Sequence, residues 1–189
     1  AGAAAGDRDE WTPTVIAQYK PFKNEELSLR AFYKRIFRMP TLNDLYFLPG
    51  GNPNLRSERG WTYDLGASFA VGRTGQYSLS GSATWFDSYI TDWILWLPTT
   101  KGFFSPRNIK DVHAYGIELN TSLDVALAKE WRLSLDGNFS WTPSINEGEK
   151  LSPADQSVGK QLPYVPELTS TVNGRLSWRK WSFEYKWCY

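Results

Sequence analysis

Apolar and polar residues alternate one by one through most of this chain. Tyr77, Leu79, Gly81, Ala83 and Trp85 are separated by Ser78, Ser80, Ser82 and Thr84. Trp131, Leu133, Leu135, Gly137, Phe139 and Trp141 are separated by Arg132, Ser134, Asp136, Asn138 and Ser140. Alternation with a period of two, sustained over this length, is a β-strand with one apolar and one polar face. The pattern recurs at Trp61, Tyr63, Leu65, Ala67 and Phe69, at Ile117, Leu119, Leu123 and Val125, at Leu168, Val172, Leu176 and Trp178, and at Trp181, Phe183, Tyr185 and Trp187. Two earlier runs are less regular, one with Val15, Ala17 and Tyr19 and one with Leu27, Leu29, Ala31 and Tyr33.

The pattern predicts about eight strands of about ten residues each, whereas strands of soluble sheets are nearer five or six. Ten residues at about 3.3 Å rise, tilted by about 45°, cover roughly 23 Å, the height of the apolar band of an outer-membrane barrel. Rings bracket several runs, as Trp131 and Trp141 or Trp61 and Phe69 do. An amphipathic ring with a wet N–H or O–H favours a membrane interface. The expected fold is therefore all-β, an antiparallel transmembrane β-barrel segment. A soluble β-sandwich competes with it, and would need a second sheet over the apolar face.

Connections alternate short (21–25, 72–75, 126–130, 179–180) and long (36–58, 90–112, 142–163). Outer-membrane barrels have short periplasmic turns and long outer loops, so each long connection is assigned to the outside. Eight strands could close a small barrel, but small single-chain barrels begin and end on the periplasmic side, whereas this pattern begins and stops on the outer side. Left unclosed, the first and last strands would expose apolar edges to lipid, a costly state. The expectation is a partial barrel domain over residues 1–189 whose pairing partners lie elsewhere.

Composition narrows the function. Lys and Arg number 21 against 20 Asp and Glu, so there is no concentrated basic face for nucleic acid. One Cys and one His exclude an internal disulfide and a zinc-type cluster. Among 189 residues there are ten each of Trp, Tyr and Phe. No stretch approaches the roughly 20 apolar residues of a membrane helix; the longest run is Trp93–Leu97 and the mean hydropathy is −0.46. A barrel averages to just such mild polarity. The N-terminal Ala1–Gly6 lacks the features of a signal peptide and reads as a small-residue loop. A catalytic triad would have to use His113, and no nucleophile motif accompanies it. The expectation is a non-enzyme with no metal and no cofactor.

One segment carries a resemblance. Phe37-Arg38-Met39-Pro40-Thr41, followed by Leu45-Tyr46 and then Gly51-Asn52-Pro53-Asn54-Leu55 and Glu58, resembles the F-R-x-P-T-x-x-x-L-Y and G-N-P-N-L-x-x-E hallmark of TonB-dependent outer-membrane transporters. Asn108-Ile109 with Tyr115-Gly116-Ile117-Glu118 looks like a later strand start of that family, and Leu162–Pro166 like another. The resemblance implies a barrel of about 22 strands filled by an N-terminal plug, of which this chain looks like strands 12 to 19. It implies active import of a scarce nutrient such as cobalamin or a ferric siderophore, an outer-membrane location, and contact with lipid, with the rest of the barrel and plug, with TonB through parts not present here, and with a surface lipoprotein in some members. Haem importers of the family tend to carry a His between the two halves of the hallmark, and Thr41–Gly51 has none, which argues against haem. Polar inward positions also suit a passive porin, which is the rival membrane reading.

Within the hallmark, Pro40 and Pro53 fix φ, Gly50-Gly51 permits a turn, and Asn52 and Asn54 can cap backbone. Loop architecture is therefore its expected role. Trp93, Trp96, Phe103, Phe104, Arg107 and Asn108 are candidate contacts for a ligand or partner on an outer loop, or rings that staple neighbouring loops along an extended hairpin. Glu147, Glu149 and Asp155 read as a solvated acidic loop in preference to a Ca²⁺ site. His113, at a strand entrance, reads as an interface residue in preference to a ligand, and Cys188 as a small packed residue on an inward face.

Overall fold

The computed structural model describes residues 10–22, 26–148, 150, 155–163 and 165–189, apart from the side chains at 109 and 110. The Ala1–Gly6 run, the end of the first short turn, Glu149 and Tyr164 lie outside the described residues. The chain runs β1 (Thr14–Tyr19), β2 (Leu27–Arg38), α1 (Leu42–Tyr46), β3 (Glu58–Arg73), β4 (Tyr77–Pro98), β5 (Phe104–Ala128), β6 (Trp131–Trp141), β7 (Ser144–Asn146), β8 (Leu168–Trp178) and β9 (Trp181–Cys188). The strands form one antiparallel sheet in the order β1-β2-β3-β4-β5-β6-β8-β9, with β7 on β5. Apart from β7, sequential neighbours pair throughout in antiparallel fashion. Among the described residues β1 and β9 do not pair, so the sheet is open.

Register decides what each face becomes. Leu65 stands opposite Ala31 and Trp85, Trp85 opposite Ile117, Leu119 opposite Phe139, Leu133 opposite Leu176, and Leu176 opposite Phe183. A slip of one residue at any ladder would have mixed the faces. The one shift, between Ala126 and Ala128, falls at the last pair of the β5–β6 ladder, so along the strands the apolar sets merge into one surface across eight strands. No second layer covers it: Leu65 is 55% exposed, Leu119 42% and Phe183 69%. A soluble sandwich would have buried these side chains.

The opposite face is polar and laced together by cross-strand hydrogen bonds. Ser122 donates to Asp136 at 2.8 Å, Ser134 to Asp124 at 2.5 Å and Asn138 to Asn120 at 2.6 Å, and Arg175 pairs with Glu184. Pairs of this kind stabilise a ladder by about 0.2–1 kcal/mol each.

Two expectations need correction. The strands are not uniformly about ten residues long, since β3 has 16, β4 has 22 and β5 has 25. The supposed long loop 90–112 is instead the upper part of the β4–β5 hairpin, closed by a turn over residues 99–103. Trp93, Trp96, Phe104, Arg107 and Asn108 therefore lie on strands, and Phe103 lies in the turn. The reason is packing. Ile94 and Val112 are 6% and 2% exposed, because other segments dock on this hairpin, and a strand covered on both sides reads as a continuous apolar run instead of an alternation. β6 also continues beyond its predicted end, because β7 pairs with β5 in the same frame. Pro143, which has no N–H to donate, interrupts the strand, while its carbonyl still accepts from Tyr115 N at 3.1 Å.

Candidate functional site

The residues of the Phe37–Glu58 signature meet at the long-loop end of the sheet, where they lash the segment between β2 and β3 to the β4–β5 hairpin. The local fold begins at Thr41, the N-cap of α1. Its hydroxyl oxygen accepts from Asp44 N, and the Asp44 carboxylate accepts from Thr41 N at 2.9 Å. This is a capping box, legible in the sequence as Thr41-x-x-Asp44. The same carboxylate accepts from Trp96 Nε1 at 2.9 Å, so one buried side chain caps the helix and holds the hairpin. Burial pushes the Asp44 carboxyl up, but the Thr41 N–H, the Trp96 indole, the Thr41 hydroxyl and the Arg38 charge together hold it below the usual carboxylate range.

Glu58 opens β3 and is 4% exposed. It accepts from Arg38 Nε at 2.6 Å on β2 and from Ile94 N at 2.8 Å on β4, with a further Arg38 bond. Three strands are thus tied at one carboxylate. A buried carboxylate is tolerable only when it is paired and fully hydrogen-bonded. The bond to Glu58 pushes the Arg38 guanidinium above its ordinary value, with burial opposing.

Asn52 Nδ2 donates to Pro106 O at 3.1 Å, and Asn54 N to Asn52 Oδ1 at 3.1 Å. Asn108 Oδ1 accepts from Arg56 N at 2.9 Å, while its amide donates to Arg56 O and Asp92 O. The Arg56 side chain closes the loop on Asp92. Asp92 has φ 57°, a left-handed conformation that Asp tolerates better than most residues. A Cβ on Gly50 would stand 2.1 Å from Phe104 O, and one on Gly51 2.6 Å from Phe47 N. Both positions need glycine for close approach, not for φ. Pro40 and Leu55 are buried, whereas Leu45 is half-buried and Tyr46, Pro53 and Asn54 are exposed. Phe37 lies under the Arg59 guanidinium, 5.8 Å from its ring centre.

Not every candidate joins this junction. Gly116 sits lower on β5, where an added Cβ would meet Trp141 O at 1.9 Å. Glu118 is exposed on the polar face opposite Thr84 and Ser140. Phe104 is 58% exposed, and Phe103 O closes the hairpin turn by accepting from Thr99. Trp93 is half-buried and Arg107 exposed. Asp44, Arg56 and Asp92 were not singled out from sequence as functional, and only the capping spacing could have signalled the first of them.

Below the junction a chain of rings crosses the apolar side from β2 to β6. Tyr33, Tyr63, Trp61, Tyr89, His113, Tyr115 and Trp141 follow one another with centroids 4.7 to 6.1 Å apart. His113 is also held between Asp87 and Glu147, each 3.2 Å away. At the short-turn end, Trp131 stacks on Trp178 at 5.7 Å. Ten residue steps from Trp131 to Trp141 span roughly 33 Å along the strand, or about 23 Å when tilted by about 45°. Two aromatic belts thus bracket an apolar band of membrane height. The hairpin from Tyr89 to Pro98 extends roughly 30 Å along the strand past the upper belt. Among the described residues no group of three or more His, Cys, Asp or Glu could hold a metal ion. Ser157 N donates to Asp155, while Glu147 is engaged by His113.

Residues 2–189 match the protein family described as TonB dependent receptor-like, beta-barrel. The vitamin B12 transporter BtuB of Photobacterium profundum is 34% identical over 99 residues, which cover 50% of this chain and 15% of that protein. The vitamin B12 transporter BtuB of Vibrio vulnificus is 29% identical over 128 residues, 58% of this chain and 20% of that protein. Among solved structures, the copper transporter OprC aligns over 93% of this chain and 25% of its own, with a TM-score of 0.71 at 18% identity. The siderophore receptor PirA from Pseudomonas aeruginosa aligns over 94% of this chain and 33% of its own, with a TM-score of 0.58 at 19% identity. The structural likenesses speak to the fold, and the matched segments span only a fifth or less of the curated relatives.

Proposed function

The chain belongs to the TonB-dependent receptor-like β-barrel family, and from that premise we propose that it forms part of the wall and outer surface of an outer-membrane active transporter importing a scarce nutrient, cobalamin, a ferric siderophore or a similar compound. The observation that carries this reading is the single uncovered apolar face, bracketed by two aromatic belts and backed by a continuous polar face. The names of the relatives, transporters and receptors throughout, support transport over catalysis.

In this reading the apolar face meets lipid, and Arg30, Asp64, Glu118, Asp136 and Arg175 face a wet lumen or the plug. The signature residues Arg38, Thr41, Gly51, Asn52, Asn54 and Glu58, with Asn108, are positioning residues that hold the outer junction rigid. Trp96 belongs to the same lashing through Asp44. Contact with ligand or with a surface lipoprotein falls to the exposed Phe104 and Arg107 near the outer tip, with the half-buried Phe103 in the turn and the half-buried Trp93 lower on the hairpin as lesser candidates. TonB, driven by the proton gradient, acts on the plug, both outside this chain.

The test is uptake in cells that carry the full-length protein, with labelled cobalamin and labelled ferric siderophores each offered at limiting concentration. Saturable uptake of one class that vanishes when TonB is deleted is the expected result. Uptake proportional to concentration and indifferent to TonB would instead make the protein a passive pore.

A further inference from the structure

At the short-turn end three connections converge. The β3–β4 turn is closed by Gln76 N donating to Arg73 O, and Ala126 N donates to Gln76 O. The β5–β6 and β8–β9 turns are tied by Arg179, whose backbone N–H donates to Glu130 O at 3.3 Å and whose Nε donates to the Glu130 carboxylate at 2.6 Å. Between them lies an open cavity of about 690 Å³ lined by Gly75, Gln76, Lys129, Glu130, Arg132 and Arg179 among others, with Trp131 at its edge. Its charge is one-sided, three cations against one carboxylate. Glu130 is already engaged by Arg179, while Lys129 and Arg132 carry no hydrogen bond or ion pair among the described residues. Arg132 reaches the cavity from the polar face, opposite Ala126 and Ser177. Arg179 reaches it from the apolar side, its guanidinium 5.1 Å above the Trp178 ring.

The rings fix the depth of this cavity. Trp131 and Trp178 stack at the end of the apolar band, and Trp181 beside them is 74% exposed. Stacked indoles at that position mark the interface between hydrocarbon and headgroups, so Lys129 and Arg179, two residues and one residue beyond Trp131 and Trp178, stand where lipid phosphates lie, whereas Arg132 lies one residue inside Trp131 on the polar face. Guanidinium forks match phosphate oxygens in pairs, and an ammonium adds a mobile point charge.

We propose that this rim cavity binds the phosphodiester headgroup of an anionic phospholipid in the leaflet at the short-turn end, with Lys129 and Arg179 as donors, Trp131 and Trp178 as the ring platform at its edge, and Arg132 lining it from the lumen side. The proposal rests on the membrane reading above. A bound headgroup would pin the turns of β5–β6 and β8–β9 together, which one surface ion pair holds only weakly.

The experiment uses the full-length protein in nanodiscs of phosphatidylcholine containing a minor share of phosphatidylglycerol, followed by mild detergent extraction and counting of retained lipids by native mass spectrometry. Phosphatidylglycerol is expected to be retained above its share in the disc, K129Q and R179Q are each expected to cut that enrichment about fivefold, and R132Q, on the lumen side, is expected to cut it by less than about twofold. K129Q changes only an exposed turn residue, so it remains informative if the arginine variants lose the heat-resistant migration of a folded barrel. A protein that inserts normally but retains both lipids at the bulk ratio, or a K129Q variant with undiminished enrichment, would overturn the site and leave the membrane reading standing. Failure to enter the discs at all would overturn both. If inorganic phosphate strips the retained lipid as readily as soluble phosphatidylglycerol replaces it, the site binds a free anion and the lipid assignment falls.

Discussion

Trp96 Nε1 donates to Asp44 Oδ1 across 2.9 Å, joining the cap of a one-turn helix to a strand 52 residues further along the chain. A hydrogen bond to a charged acceptor contributes about 1.5–3 kcal/mol, and more is lost when the partner is stranded in a buried place. The expected coupling between Asp44→Ala and Trp96→Phe in a double-mutant cycle is therefore about 1.5–3 kcal/mol, read from hydrogen-exchange protection of residues 42–47 in the full-length protein. Additive effects of the two changes would mean that the bond does not hold the segment.

Acid should release the same segment at a defined place. The carboxyl of Asp44 titrates below its ordinary value once folded, so the docked state binds its proton less readily than the free chain. Its contribution is full above the unfolded value of about 4 and is lost as pH falls through the lower folded value. Protection at residues 42–47, corrected for intrinsic exchange, is expected to hold steady from neutral pH down to about 5 and to fall only below about 4. Loss centred near neutrality would point to a different group.

Gly116 offers a test of strand spacing independent of charge. A methyl added there meets Trp141 O at 1.9 Å, and backbone cannot yield as a flexible side chain can. Gly116→Ala should cost about 1–3 kcal/mol and loosen the β5–β6 ladder near Ile117 and Trp141. A variant with unchanged thermal stability in detergent would show that the two strands stand further apart than the structure places them.

Much of this architecture could be read in advance, and for a definable reason. Where one face meets lipid and the other water, every residue of a strand reports its side, so the runs through Leu65, Leu135 and Leu176 were legible down to the face each residue takes. The upper hairpin broke that rule. Ile94 and Val112 are buried beneath docked segments, which turned Trp93–Leu97 into an unpatterned apolar run and disguised strand as loop. The signature residues were visible as a motif, and loop architecture was the expected role. Their partners could not be read, because Asn52, Arg56 and Glu58 bind groups some 36 to 54 positions away that no local spacing announces. Thr41-x-x-Asp44 is the exception, a contact written into four consecutive residues.

Substitution by arginine should separate the two faces by energy. Leu135 lies mid-strand on the apolar side opposite Leu123 and Gly174, and its neighbour Ser134 lies on the polar side opposite Asp124 and Arg175. In a lipid-embedded barrel Leu135→Arg is expected to cost about 2–4 kcal/mol. Ser134→Arg places a cation beside Asp124 and Arg175, and should cost well under half of that. The comparison is made by denaturant unfolding from vesicles.

The most direct measurement of the central claim follows the environment of each side chain along one strand. Spin labels placed singly at positions 133 to 138 of the full-length protein in a bilayer, with Cys188 replaced by Ser, report collision with oxygen, which dissolves in hydrocarbon, and with a nickel chelate, which stays in water. Labels at 133, 135 and 137 should favour oxygen and those at 134, 136 and 138 the chelate, reversing at every residue. Equal access to both reagents along the strand, or protection of the odd positions from both, would contradict a single sheet with lipid on one side and water on the other.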